Sequence, residues 1–373
     1  MDGIKPIKFI ILSKLYLMRK LFALLALGTS TFFLGGCDSD FSLNGDYEIQ
    51  PIVFGLLDHT QDVHMFKITK AYLGNGDNLV YAQNPDSSYF NQVEGTVTEY
   101  LNGDPTGRTW TLQDTIVTNK STDGIFYAPE QKAYFFEESD LDSLATYELY
   151  ISLEGGKHEV TGSTELLPKF KPNKSSLVIS DFFPLTFAPS TVDEDSDYSK
   201  WNFNLNEALN GAAYEFYYTF RWRETYTDNS YEDFAITRMF LETEQNKPLT
   251  PSVQSVIVNG LDVYQFIDDN IEPDANVTKR RFLGFDFRIA AAHYELKQYM
   301  DIGEPISGIA QVQPEFTNLN GARGLFSSRI VFDAKNFQFD ANSIKQLCTG
   351  LYTADLGFCS HLAEHSSEFW YCN

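Results

Sequence analysis

The chain has 373 residues, with 51 acidic against 28 basic side chains and a formal net charge of −23. A balance that acidic argues against nucleic acid and against an anionic lipid surface as partners. Hydrophobic residues at 43% and aromatics at 15% exclude a disordered tail, and the length allows two domains or one large one.

The N-terminus reads as a targeting segment. Lys5, Lys8 and Lys14 stand among apolar residues, and Met18-Arg19-Lys20 then restarts the pattern ahead of the run Leu21 to Leu27. Met18 therefore offers a second start. The segment closes on Leu34-Gly35-Gly36-Cys37, the layout of a secretory signal with small residues at its cleavage point. Its apolar stretch is too short and interrupted for a spanning helix.

Leu34-Gly35-Gly36-Cys37 resembles the bacterial lipobox, whose cysteine is acylated and becomes the first residue of the mature protein. The resemblance implies a signal peptide over 1–36 and an acylated tether over 37–44. It also implies anchoring through Cys37 by several acyl chains, palmitate among them, because two or more chains hold where one does not. Asp38, Ser39 and Asp40 follow the cysteine. They resemble an inner-membrane retention signal in enterobacteria and a surface-export signal in Bacteroidota.

From Gly45 to Leu167 short strands alternate with turn residues. Val93 to Leu101 alternates, Asn102-Gly103-Asp104 turns it, and Arg108 to Leu112 returns. Tyr147, Leu149, Ile151 and Leu153 line one face of another strand, Gly155-Gly156 turns, and Lys157 to Leu167 returns. The pattern predicts an immunoglobulin-like antiparallel sandwich over 45–168. Tyr147 sits where such folds often place a corner tyrosine. Asp58, His59, Asp62 and His64 fall between two strands and decorate a loop. Leu73 to Phe90 is too long for a plain hairpin turn and is a candidate functional loop.

Pro168 to Asn173 reads as a linker, and 169–373 as a larger mostly-β domain with one or two helices. Tyr214, Phe216, Tyr218, Phe220 and Trp222 alternate with polar residues, a strong period-two signal. Such a row is either a sugar-stacking platform or a buried sheet face, and the second is the commoner use of strand aromatics. Gly260 to Ile271 and Ile289 to Met300 show helical spacing, the latter placing His293 on an apolar face. The acidic run Asp193 to Asp197 has oxygen ligands for calcium without the glycine-containing loop of an EF-hand.

Three stretches carry a family resemblance: Ile52 to Asp58 with Phe66 to Gly74, Tyr294 to Tyr299, and Asn318 to Ser328. They resemble a Bacteroidota family of outer-membrane lipoproteins known only as a domain of unknown function and frequently encoded beside TonB-dependent receptors. The resemblance implies an address, the outer membrane and its surface, and a partner, a TonB-dependent receptor. It implies no chemistry. Asp114-Thr115-Ile116 and Asp142-Ser143-Leu144 match the Bacteroidota O-glycosylation pattern and agree with that address.

The tail holds Cys348, Cys359 and Cys372, of which an oxidising compartment should bond two; Cys348 with Cys359 closes a short loop and is the expected pair. Between Cys359 and Cys372 lies His361-Leu362-Ala363-Glu364-His365, the inverted zinc-protease pattern. A catalytic zinc needs a third protein ligand, which the inverted-motif peptidases take from far downstream, whereas only eight residues follow His365. A structural zinc on Cys359, His361, His365 and Cys372 competes with a disulfide. The motif is therefore expected to be a coincidence in a disulfide-pinned tail.

The chain carries neither G-x-S-x-G, nor a phosphate loop, nor a dinucleotide fingerprint. The expectation is a non-enzymatic lipoprotein that needs no cofactor or metal and serves a TonB-dependent receptor in nutrient uptake. The alternative is a free-standing surface module for glycan or protein adhesion.

Overall fold

Strands alternating apolar and polar residues bury one face each, and two cores form where those faces meet. The structure is a computed structural model describing residues 49–71, 77–118, 121–124, 126–128, 130–168, 170, 184–244, 252–303 and 315–372. Cys37, the signal peptide and the tether lie outside the described residues, as does most of the expected linker. The fold is mainly β.

In chain order the first elements are β1 (Gln50–Leu57), β2 (Val63–Ala71), α1 (Asn78–Ala82), α2 (Pro85–Ser88), β3 (Val93–Leu101) and β4 (Asp104–Thr111). Then come β5 (Gln113–Val117), β6 (Gln131–Glu137), β7 (Thr146–Leu153) and β8 (His158–Glu165). One sheet runs β14-β8-β7-β3-β4, where β14 is Leu319–Asn320. It packs across a core of Val53, Phe66, Ile68, Val97, Phe136, Leu149 and Ile151 onto β1, β2 and β6. This is the sandwich. Its hairpin turn is where the sequence places it, with Asn102 at φ 55° and Gly103 at φ 88°.

Tyr147 is fully buried, and its hydroxyl reaches Glu99 Oε2 at 2.8 Å and the Asp142 carbonyl oxygen at 3.1 Å. That bond to backbone five residues upstream is the geometry of a corner tyrosine. Glu99 is itself buried and accepts from Arg108 and Thr106 as well, so the corner ends in a charge-assisted knot. Tyr147→Phe should cost about 2 kcal/mol in urea unfolding, since it strips a donor from a buried carboxylate. A change within experimental error would mean that Arg108 alone satisfies Glu99.

The second half comprises β9 (Lys200–Asn206), β10 (Gly211–Tyr226), β11 (Tyr231–Glu244), β12 (Val253–Asn259), α3 (Gly260–Asn270) and β13 (Val277–His293). It continues with α4 (Tyr294–Gly303), β14, β15 (Arg323–Phe337), α5 (Ala341–Thr349) and β16 (Phe358–Cys359). The expected aromatic row on β10 is core: Tyr214, Phe216, Tyr218, Phe220 and Trp222 are all buried, against β13, α3, α5 and the β9–β12 pair. The sugar-stacking reading of that row is thereby overturned.

One sheet spans both halves, in the order β11-β10-β13-β15-β1-β2-β6-β5, with β16 adding two residues beside β13. At its middle β1 pairs parallel with β15, Ile52 opposite Arg323 through Leu57 opposite Ser328. Leu319, Ala322 and Phe326, late in sequence, belong to the first core. Of the expected linker, Phe170 is described, and it packs in the second core against Tyr214.

Two elements differ from expectation. Residues 289–293 are strand, and the helix starts only at Tyr294, because β10 and β15 hydrogen-bond β13 from both sides through Ile289 to Ala292. Part of the 73–90 loop is α1 and α2, with Asn84 capping α2 through the Asp86 amide.

Candidate functional site

A strand that buries alternate residues must present the others on the opposite face. On β10 the outward set is Glu215, Tyr217, Thr219 and Arg221; on β15 it is Arg329, Val331, Asp333 and Lys335. β13 contributes Asp286 and Arg288, β1 contributes Phe54 and Leu56, and β2 contributes Met65 and Lys67. These residues line a trough of about 1010 Å³, beyond the point where β15 parts from β1 at Ser328. It is open to solvent rather than enclosed.

Of the four carboxylates lining the trough, two are paired with arginines and two accept from neutral donors. Arg288 Nε meets Asp333 Oδ1 at 2.7 Å and its Nη2 meets Oδ2 at 3.1 Å, a two-point pair between neighbouring strands. Arg221 holds Asp286 likewise, at 2.9 and 3.1 Å, and donates to Asn336 Oδ1. Tyr217 donates its hydroxyl proton to Glu215 Oε2 at 2.6 Å, and this bond first, with burial behind it, pushes the phenol up to about 12. Asp58 accepts from the Thr60 amide and hydroxyl. By contrast, Lys67, Arg329 and Lys335 are exposed and have no ion-pair partner among the described residues. Thr219 and Thr237 share a hydrogen bond of 2.8 Å at the far wall.

No protein-family model and no curated protein matches the chain.

Residues 52–58, 66–71, 294–299 and 318–328 come together in the fold. β1 lies between β2 and β15, Phe54 packs edge-on against Tyr299 of α4 at 5.5 Å, and Asn318 Nδ2 reaches Glu295 Oε2 at 2.9 Å. Asn318 also closes on Phe326 through both its oxygen and its nitrogen. Their outward residues Phe54, Leu56 and Lys67 line one side of the trough.

Other sequence candidates have structural employment. His64 lies in β2, buried, with its ring on Phe136 and Nε2 3.0 Å from the Glu138 carbonyl oxygen. Burial pushes its ring below the ordinary histidine range. The acidic run at 193–197 folds on itself: Asp197 Oδ2 accepts the amides of Asp193 and Glu194, and Asp195 accepts the Tyr352 hydroxyl. Thr115 lies on the sheet-edge strand β5, and Ser143 lies in the corner-tyrosine loop.

The expected Cys348–Cys359 bond is corrected. Cys359 is bonded to Cys372, and Cys348 is free and buried on the core face of α5, where burial pushes its thiol up to about 12. The reason is backbone geometry. Ser360 and Tyr371 form a parallel bridge, with Ser360 N donating to Trp370 O and Cys372 N donating to Ser360 O, so residues 359 and 372 are held side by side.

His361 to His365 lies inside that clasp. Only Ala363–His365 is helical, as a single 3₁₀ turn, so the α-helical alignment required for paired ligands is missing. His365 Nδ1 bonds Ser360 Oγ at 2.8 Å and its ring stands edge-on to Trp370. Among the described residues no group of three or more His, Cys, Asp or Glu gathers as a metal site.

Proposed function

We propose that the protein is an outer-membrane lipoprotein, held at the cell surface by acylated Cys37, that binds an extended ligand and works with a TonB-dependent receptor in nutrient uptake. The observation that supports binding is the trough: about 1010 Å³, open to solvent, and mixed in character, with apolar Phe54, Leu56 and Val331 beside Tyr217, Arg329 and Lys335. An open groove of mixed lining accepts a chain rather than enclosing a small molecule. The lipobox resemblance supports the anchor, and the family resemblance supports the receptor.

Cys37→Ala should move the protein from the membrane fraction to the soluble fraction, and unchanged fractionation would sink the anchor. Affinity purification from native membranes tests the partner. A co-purifying receptor barrel supports the proposal. A protein that comes out alone yet binds polysaccharide or host protein supports the second reading, a free-standing adhesion module, which the same trough would serve.

A further inference from the structure

We infer that the end of the sandwich where β1 begins is a membrane-contact surface, at which Leu79, Val80 and Phe126 dip into a net-neutral lipid layer. This rests on the reading of Cys37 as the acyl anchor and goes further by saying which face the anchored protein sets against its membrane.

Position is the first ground. Residues 38–48 join Cys37 to Ile49, and even a fully extended chain of that length reaches only about 40 Å. The bilayer is therefore never far from the start of β1. That start has fixed neighbours. Gln50 is opposite Ala71, the last residue of β2, and β6 begins at the same end, running antiparallel to β2 from Gln131. Gln131 is in turn opposite Val117, the last residue of β5. The two short helices are held at this end as well. α2 packs on β2, Phe90 is buried in the first core with Lys70 Nζ 5.6 Å from its ring centre, and the Tyr127 amide donates to the Ala82 carbonyl oxygen at 2.9 Å. Residues 78–90, part of a loop too long for a plain turn, thus lie beside the point of attachment.

Surface chemistry is the second ground. Leu79 is 59% exposed, Val80 66% and Phe126 57%, and the bond between Tyr127 and Ala82 brings the two stretches together. Single exposed apolar side chains are ordinary, but three large ones gathered on one tip mark an interaction surface. A free protein gains little from so small a patch. An anchored one gains more, because the second contact is intramolecular and its effective concentration is set by the tether. The chain's net charge of −23 disfavours an anionic surface. The contact that fits is apolar insertion to the headgroup boundary, about 5–10 Å deep.

Leu144 supplies the control. It is 79% exposed in the corner-tyrosine loop, just before β7, whose first residue is opposite Tyr100 near the far end of β3.

The full chain, extracted with its lipid and reconstituted into phosphatidylcholine vesicles whose acyl chains carry bromine, tests this. Val80→Trp should add a fluorescence that the brominated chains quench and that recovers in unbrominated vesicles. The emission added by Leu144→Trp should be the same in both. High salt should leave the quenching unchanged, since apolar insertion is not screened. An unquenched Val80→Trp protein overturns the contact and leaves the anchor standing. Equal quenching at both positions overturns the choice of face. Loss of quenching in salt overturns its apolar character. If Cys37→Ala leaves the membrane fractionation unchanged, the anchor fails and this inference fails with it.

Discussion

Gly324→Ala should destabilise the protein by about 4 kcal/mol, the upper end for a single substitution. Gly324 is second in the parallel ladder between β1 and β15, opposite Val53, at φ 107°, with its α-carbon face against the Val53 main chain. An added Cβ would land on the Val53 carbonyl oxygen, and it is a main-chain atom of a central strand that would have to move. Two other glycines separate the contributions. Gly107, at φ 87° in open space, isolates the cost of backbone conformation, about 1 kcal/mol on substitution by Ala. Gly124, with open space and no positive φ, should be neutral. Urea unfolding of the three variants gives the ranking. A Gly324→Ala protein within 1 kcal/mol of the parent would contradict the β1–β15 pairing.

Acid should weaken the fold well above the range where exposed carboxylates titrate. His293 is buried at the end of β13, and burial pushes its ring from 6.5 down to about 4. A histidine depressed in the folded state is protonated first in the unfolded chain. The stability tied to its neutral form is therefore complete above pH 6.5 and is lost as pH falls from there toward 4. The full difference is roughly 3 kcal/mol. Burial also lowers His64 and His361, in the same sense. Glu295 works against them: burial raises its carboxyl, so the folded state takes up that proton first as pH falls. Unfolding midpoints at pH 7, 5.5 and 4.5 should therefore drop, and His293→Gln should flatten the slope without abolishing it. An unchanged slope in His293→Gln would show that His293 does not carry the acid sensitivity.

Much of this architecture was legible because period two is a local property. The β10 row from Tyr214 to Trp222, the turn at Asn102-Gly103 and the strand through Tyr147 each declare themselves within a dozen residues. The 260–271 helix did so too, through the spacing of Val263, Tyr264 and Ile267. Residues 289–293 misled because Ile289, His293, Leu296 and Met300 recur at helical spacing, whereas here two flanking strands hold 289–292 extended. The disulfide could not be chosen from spacing alone, since burial of Cys348 on α5 and the bridge beside Cys359 are both tertiary. The trough was illegible for a related reason. Lys67, Tyr217, Arg288 and Arg329 are ordinary outward residues in their own strands, and only the sheet order makes them neighbours. The one signal was the period-two row of β10, whose outward residues, Tyr217 among them, could be enumerated.

The parallel joining of β1 to β15 also orders events in time. A polypeptide made from its N-terminus presents residues 52–57 long before residues 323–328 exist. Until then the first sandwich lacks Leu319 and Phe326 from its interior, and one side of β1 is an unpaired edge. Contacts so distant in sequence are slow to form, and an open edge invites pairing with a neighbouring chain. The nascent protein thus depends on being kept unfolded, or shielded, until almost its whole length has been released. A chain bound for export in an extended state would meet that requirement as a matter of course, whereas a version truncated before β15 would emerge with an adhesive flank and no means of covering it.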